Sequence, residues 1–318
     1  MKIEGKPRVS LFDIQVNGFA GVDFQDPDPD AGELRRACVA LRRHDTHRIL
    51  LTLVTNSIDA LEQTFARIEA IRAKDPVVRE TVAGYHLEGP YLNPEDGFRG
   101  AHPRNRIKAP DLREYRRLQT AAGGSIRLVT LAPEWPGSTG FIRGLSREGV
   151  VVALGHTDAS NRQIDRAIAA GATLCTHLGN GCPALMDRHD NIIQRLLARD
   201  ELVACLIPDG IHLPPGVLRN LARAKPPGKV VITTDAMAAA GAPPGRYTVG
   251  TVTVECGRDG VVRLPGTRYF AGSSLTLETG AANAALWTGA TAAAARDWAS
   301  RRPAAIFGIR LPVLHDRR

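Results

Sequence analysis

Eight short apolar runs recur along the chain, and between them lie longer segments with one apolar face. The runs read as strands at Leu11–Val16, Ile49–Thr55, Val82–Leu87, Ile126–Leu131, Val150–Leu154, Thr173–Thr176, Leu202–Ile207 and Val230–Thr234. They lack strict apolar–polar alternation, as strands of a parallel sheet covered on both faces do. Between them, Leu34, Ala37, Cys38 and Leu41 fall at i, i+3, i+4 and i+7, and Leu61, Phe65 and Ile68 share the same stripe, which predicts helices. Ser160 with Gln163 reads as a capping box, Gly171 as a helix stop, and Pro214 and Pro215 as the start of a helix carrying Val217, Leu218 and Leu221. Eight such units predict an α/β chain closed into a (β/α)8 TIM barrel. A doubly wound open sheet is the alternative, and no G-x-G-x-x-G follows the first run to favour it.

Two segments depart from plain alternation. Gly89–Pro110 is a Pro/Gly/Asn-rich loop after strand three. Ala242–Arg268 carries Tyr247–Val249, Thr251–Val254 and Val261–Leu264, which predict a small β insertion after strand eight, at about residues 243–270 of a single domain spanning 1–318. Long loops at strand ends are where barrel enzymes place substrate contacts. The alanine-rich stretch Ala281–Ala295 is expected to be helical, with Leu286, Trp287 and Trp298 as apolar anchors.

Composition narrows the function classes. No apolar run reaches the roughly 18 residues of a membrane span. Residues 1–10 lack the apolar core of a signal peptide, so a cytoplasmic location is expected. The five cysteines Cys38, Cys175, Cys182, Cys205 and Cys256 form no C-x-x-C pair and read as buried small apolar residues, not as a disulfide framework or structural zinc knot. The net charge of +8 comes largely from arginines on helix-like segments, such as Arg35, Arg36, Arg42 and Arg43, and from the tail residues Arg317 and Arg318. No aromatic-interleaved basic stripe accompanies them, which argues against nucleic acid, while a positive field suits an anionic substrate.

The informative residues stand where the apolar runs end. Strand one ends Asp13-Ile-Gln15-Val-Asn17, strand three His86-Leu-Glu88, strand five His156-Thr157-Asp158, strand six Thr176-His177, strand seven Asp209-Gly-Ile-His212 and strand eight Thr234-Asp235. In a parallel barrel these ends converge on one mouth. Glu88, His156 and His177 then form a three-ligand N/N/O set for one divalent metal ion, with zinc expected and iron, manganese or cobalt also suited. Asp235, on the last strand, is the candidate proton carrier. His212 is placed to contact a substrate carbonyl or hydroxyl. Gln15 and Asn17 are neutral amides, poor transition-metal ligands, and predict a vacant second-metal position. His86 lies deeper and reads as structural, and His44, His47 and His189 receive no metal role. Asp209 reads equally as a catalytic carboxylate or a turn former, and Asp158 as a helix-start acid.

These motifs, together with Asn93-Pro94, Gly100-Ala-His102, Gly179-Asn180 and Ala271-Gly-Ser-Ser274, form an ordered series from Asp13 to about Gly308 that resembles the N-acetylglucosamine-6-phosphate deacetylases of the amidohydrolase superfamily. The resemblance implies that Glu88, His156 and His177 bind metal and that Asp235 is catalytic. It also implies that His102 and His212 contact the substrate, and that Asn180, Gly181 and Arg188 hold a sugar phosphate. The arginine fork suits phosphate oxygens. Gln15 and Asn17 stand where many amidohydrolases carry His-x-His. The family also implies a homodimer acting on a small amino sugar, and a β-sandwich domain that this chain is expected to lack. Gly179–Pro183 and Arg188–Asn191 differ from the family's usual runs in the phosphate-holding loop, so an unphosphorylated or otherwise modified amino sugar, a cyclic amide or an N-acyl amino acid stay open as substrates. A non-catalytic sugar-binding relative is the reading least compatible with retention of all four central residues.

Overall fold

The computed structural model describes residues 8–250, 252–266 and 270–314. Thr251, Arg268, Arg317 and Arg318, named above, lie outside them. Eight strands pair in parallel in chain order: β1 (Leu11–Val16), β2 (Thr46–Val54), β3 (Val82–Glu88), β4 (Ile126–Leu131), β5 (Val151–Leu154), β6 (Ala172–Cys175), β7 (Val203–Leu206) and β8 (Val230–Ile232). The ring closes beyond β8, where Val16 bridges Ala236 in parallel and the Asn17 N–H donates to the Ala236 carbonyl at 2.7 Å. Asp13 adds a side-chain clasp to this seam. It accepts the hydroxyls of Thr233 and Thr234 at 2.5 and 2.6 Å. Burial pushes the Asp13 carboxyl above its ordinary range, and the threonine hydrogen bonds hold it back.

Helices α1 (Ala31–Arg43), α2 (Ile58–Lys74), α3 (Pro76–Thr81), α4 (Leu112–Ala121), α5 (Ser138–Arg147), α6 (Asn161–Ala170), α7 (Ile192–Leu197), α8 (Pro215–Ala224), α9 (Leu277–Thr288), α10 (Ala292–Trp298) and α11 (Arg301–Phe307) lie between and after the strands. Their boundaries follow local chemistry. Asp30 caps α1 by accepting the Glu33 N–H, and Arg42 and Arg43 face the negative end of its dipole. Gln163 accepts the Ser160 N–H at the start of α6, and Gly171 ends it at φ 117°. Asp158 lies ahead of that cap and pairs with Arg195 instead of serving the helix dipole. The alanine-rich stretch is two helices, because Gly289 turns the chain at φ 78°. Leu286 is no anchor: it is 75% exposed, while Trp287 and Trp298 pack partly against the core.

Two apolar layers result. One, with Leu34, Phe65, Tyr85, Leu118, Phe141 and Ile164, fills the space between sheet and helices. The other lies inside the barrel, where Phe12, Ile14, Leu50, Leu128, Leu174 and Val231 form the lower half. Phe307 of α11 plugs its floor, edge-on to Phe12 at 5.8 Å. Above this layer the interior turns polar. His86 is fully buried, with Nδ1 3.3 Å from Thr52 Oγ1 and Nε2 2.8 Å from Thr130 Oγ1. Burial pushes its ring down to about 4, so it is neutral at physiological pH. Glu88 stands two residues further along β3 on the same face, at the mouth.

Beyond β8 the chain forms a three-stranded antiparallel sheet, β9 (Gly245–Val249), β10 (Val252–Cys256) and β11 (Val262–Arg263). Val254 and Val262 pack with Met237 and Ala238. Arg8–Val9 pairs antiparallel with Val313–Leu314. All five cysteines are free thiols, Cys182 partly exposed and the others buried.

Candidate active site

β3, β5 and β6 bring three ligand atoms together at the mouth. Glu88 Oε1 lies 3.1 Å from His177 Nε2 and 3.5 Å from His156 Nε2, and the two Nε2 atoms are 3.1 Å apart. All three side chains are buried. The Nδ1 of His156 faces the Phe98 carbonyl at 2.8 Å. A carbonyl only accepts, so Nδ1 carries the hydrogen and Nε2 presents a lone pair to its neighbours. A carboxylate and imidazole lone pairs this close repel one another unless a proton or a cation lies among them. A tetrahedral ion with ligand bonds of about 2.1 Å spaces its donors roughly 3.4 Å apart. The triangle therefore fits such an ion, and the Phe98 contact is of the kind that orients an imidazole able to bind one. His177 Nδ1, by contrast, is buried without a partner among the described residues.

Backbone geometry at the site is unusual. Five non-glycine residues among those described have positive φ, and three of them are His156 at 51°, His177 at 24° and Asp235 at 52°. Such conformations cost on the order of 1–3 kcal/mol each and persist where surrounding bonds over-determine them. The Asn93 N–H donates to the His156 carbonyl at 2.9 Å, and the Ser273 N–H does the same for Asp235. Gly181, at φ 61°, passes directly over His156, where a Cβ would stand 2.8 Å from Nδ1.

Asp235 is reached through strand one. Gln15 Nε2 donates to Glu88 Oε1 at 2.9 Å and to Asp235 Oδ1 at 3.1 Å, and Asn17 Nδ2 donates to the same Oδ1 at 2.6 Å. Burial and then the Glu88 charge push the Asp235 carboxyl up to about 6, with His177, His212 and Asn17 pulling against them. His102 stands edge-on to His156, ring centres 4.6 Å apart, with Nδ1 2.8 Å from Thr55 Oγ1. Burial pushes His102 down to about 3, so it stays neutral. His212 lies against Asp209 and the ring of Phe270. Asn180 turns back on its own loop, Nδ2 donating to the His177 carbonyl at 3.2 Å. Arg188 is exposed on that loop, three residues beyond Leu185, which is 93% exposed.

One contributor, Glu134, carries no role in the sequence motifs. Glu134, three residues beyond β4, accepts Asn93 Nδ2 at 2.8 Å and the Asp158 N–H at 2.9 Å, and also the Thr157 hydroxyl. It ties the loop after β3 to the strand end that bears His156. The signal was available, since strands two and four were the runs whose ends had no assigned role. Gln15 and Asn17 are hydrogen-bond donors to the central carboxylates, a role that reading them as a vacancy did not include.

No family model matches the chain. It is 34% identical to the N-acetylglucosamine-6-phosphate deacetylase of Bos taurus, over 94% of this chain and 74% of the relative. It is also 34% identical to the N-acetylgalactosamine-6-phosphate deacetylase of Escherichia coli O157:H7, over 94% of this chain and 78% of that one. Among solved structures, a Mycobacterium smegmatis N-acetyl-D-glucosamine-6-phosphate deacetylase variant, in complex with N-acetyl-D-glucosamine-6-phosphate, superposes with a TM-score of 0.86 at 31% identity, covering 97% of this chain and 80% of that chain. Sequence, fold and the convergence of Glu88, His156 and His177 thus agree, and the chain belongs to the N-acetylglucosamine-6-phosphate deacetylase family of the amidohydrolases.

Proposed function

We propose that this chain removes the acetyl group from a 6-phosphorylated N-acetyl amino sugar, with N-acetylglucosamine 6-phosphate the first candidate, using one divalent cation. The observation that carries this reading is the buried triangle of Glu88, His156 and His177 joined through Gln15 to the carboxyl of Asp235. Zinc is the expected ion for an N/N/O set. Glu88, His156 and His177 would hold the cation, which would supply Lewis-acid chemistry toward the amide carbonyl and the water that attacks it. Asp235 takes up the proton released as the amide carbon is attacked. It then returns a proton to the departing nitrogen, so that acetate and a free amine result. Gln15 and Asn17 hold its carboxylate in place. His102 and His212 orient the substrate, and Asn180, the backbone at Gly181 and Arg188 receive the anionic end.

Among the described residues no helix is long and apolar enough to cross a membrane. The reading includes a cytoplasmic homodimer, supported by exposed Arg188 and Leu185 on a loop that a second copy would cover.

The test is acetate release from the N-acetylglucosamine and N-acetylgalactosamine 6-phosphates and their unphosphorylated forms. The phosphorylated sugars should be preferred, and chelation or Asp235→Asn should lower turnover roughly 10²–10⁴-fold. Equal turnover after both treatments would reject the mechanism, and preference for an unphosphorylated sugar would reject the substrate.

A further inference from the structure

Asp209 and His212 occupy the turn that leaves β7. Asp209 Oδ1 accepts the N–H groups of Ile211 and His212, each at 2.8 Å, and its Oδ2 lies 2.6 Å from His212 Nδ1. Both side chains are almost closed to solvent, at 7% exposure for His212 and 5% for Asp209. The His212 ring is also braced by Phe270, with ring centres 5.1 Å apart. His212 follows β7 and Asp235 follows the neighbouring β8, so both stand at the mouth where the parallel strands end.

We infer that Asp209 is a positioning residue. Its carboxylate fixes the His212 imidazole with hydrogen on Nδ1, so that Nε2, the acceptor of the neutral ring, meets the substrate. The inference deepens the proposed function, resting on contact between His212 and the substrate. A carboxylate that accepts three hydrogen bonds has no proton to offer, so the hydrogen between Oδ2 and Nδ1 belongs to the ring. Burial pushes the Asp209 carboxyl up, but His212 and the two amides outweigh it and hold it below its ordinary range. With Nδ1 committed, Nε2 is the nitrogen left for the substrate. In the neutral ring it accepts, so its complement is a hydroxyl or amide N–H and not the acetyl carbonyl oxygen. The aspartate thus does two jobs from one side chain: one oxygen shapes the turn, and the other sets the tautomer.

Asp209→Asn separates the two. The retained carbonyl oxygen still accepts the backbone N–H groups, while the new amide donates to Nδ1 and moves the ring hydrogen to Nε2. In the zinc-loaded protein, ring 15N shifts, assigned to His212 by their loss in His212→Gln, should show hydrogen on Nδ1 in the wild type and on Nε2 in Asp209→Asn. The variant should keep its metal content and melting temperature and lose roughly 10–100-fold in kcat/KM on the acetylated sugar phosphate. A wild-type ring with hydrogen on Nε2, or full activity in Asp209→Asn with the tautomer switched, would overturn the inference. If Asp209→Asn does not fold, the wild-type spectrum alone decides. Unchanged activity in His212→Ala would instead reject contact between His212 and the substrate, which separates failure of the underlying reading from failure of this one.

Discussion

Asn17 Nδ2 donates to Asp235 Oδ1 at 2.6 Å. The bond joins the end of the first barrel strand to the residue just past the last, so the seam that closes the barrel also positions the carboxylate proposed as proton carrier. Asp235 sits at φ 52°, with its carbonyl held by the Ser273 N–H and the preceding Thr234 clasped by Asp13.

Asn17 should therefore set the acid limb of the pH–rate profile. In the proposed reaction the working form of Asp235 is the carboxylate, and burial with the Glu88 charge pushes its pKa up to about 6. Activity falls as pH drops through that value, and a bound cation draws the limb lower. A hydrogen bond to a charged group is worth about 1.5–3 kcal/mol, so Asn17→Ala should move the limb of kcat/KM upward by roughly one to two units. A limb that stays in place or moves downward would show that Asn17 does not act on this carboxylate.

Gln15 has one amide nitrogen between Glu88 Oε1 and Asp235 Oδ1. Without it, two buried carboxylates face each other unbridged, and Glu88 loses its outer partner. Gln15→Ala should weaken metal binding about 10–100-fold, read by competition with a chromophoric chelator. Wild-type affinity would make Gln15 a spacer and no more.

Glu134→Gln tests the clasp across the mouth. Three donors converge on the Glu134 carboxylate, from Asn93, Thr157 and the Asp158 backbone. The amide oxygen can keep the two bonds made to Oε1, but the Thr157 hydroxyl must turn to accept from the new NH2 and the charge assistance of all three bonds is lost, at a cost of about 1–2 kcal/mol. Denaturant unfolding should show that loss. A melt indistinguishable from wild type would mean that solvent replaces the lost acceptor.

Phe307→Ala opens the barrel floor without touching the mouth. The ring packs edge-on against Phe12 among buried residues, and its removal should cost about 3–5 kcal/mol. Metal content and kcat of the folded fraction should stay at wild-type values. A fall in kcat at unchanged fold would show that floor and mouth are coupled.

Gly181→Ala should expel or displace His156, since the added methyl group would stand 2.8 Å from its Nδ1 in a backbone conformation that disfavours side chains. The measurement is zinc per chain after dialysis, expected well below the wild-type value; full retention would show that the loop yields and the ligand does not.

The eight strands were legible because a strand buried on both faces must be a short apolar run, and a helix against it must repeat near 3.6 residues. Glu88, His156, His177 and Asp235 stood out because polar side chains at the ends of such runs have no structural reason to recur. Helix breaks were less visible: Gly289 splits an alanine-rich stretch whose composition alone reads as continuous helix, and the exposure of Leu286 depends on which face α8 covers.

The chain's own order of residues determined which groups lie at the mouth, because a parallel barrel delivers every strand's carboxyl end to one side. Only the tertiary structure decided what those groups do to one another. The two hydrogen bonds of Gln15, to Glu88 and to Asp235, span 73 and 220 residues. The hold of Glu134 on Asn93 and Thr157 likewise crosses separate loops. Distances between side chains on different strands depend on barrel closure and on backbone φ at single residues, and neither is written in a local pattern.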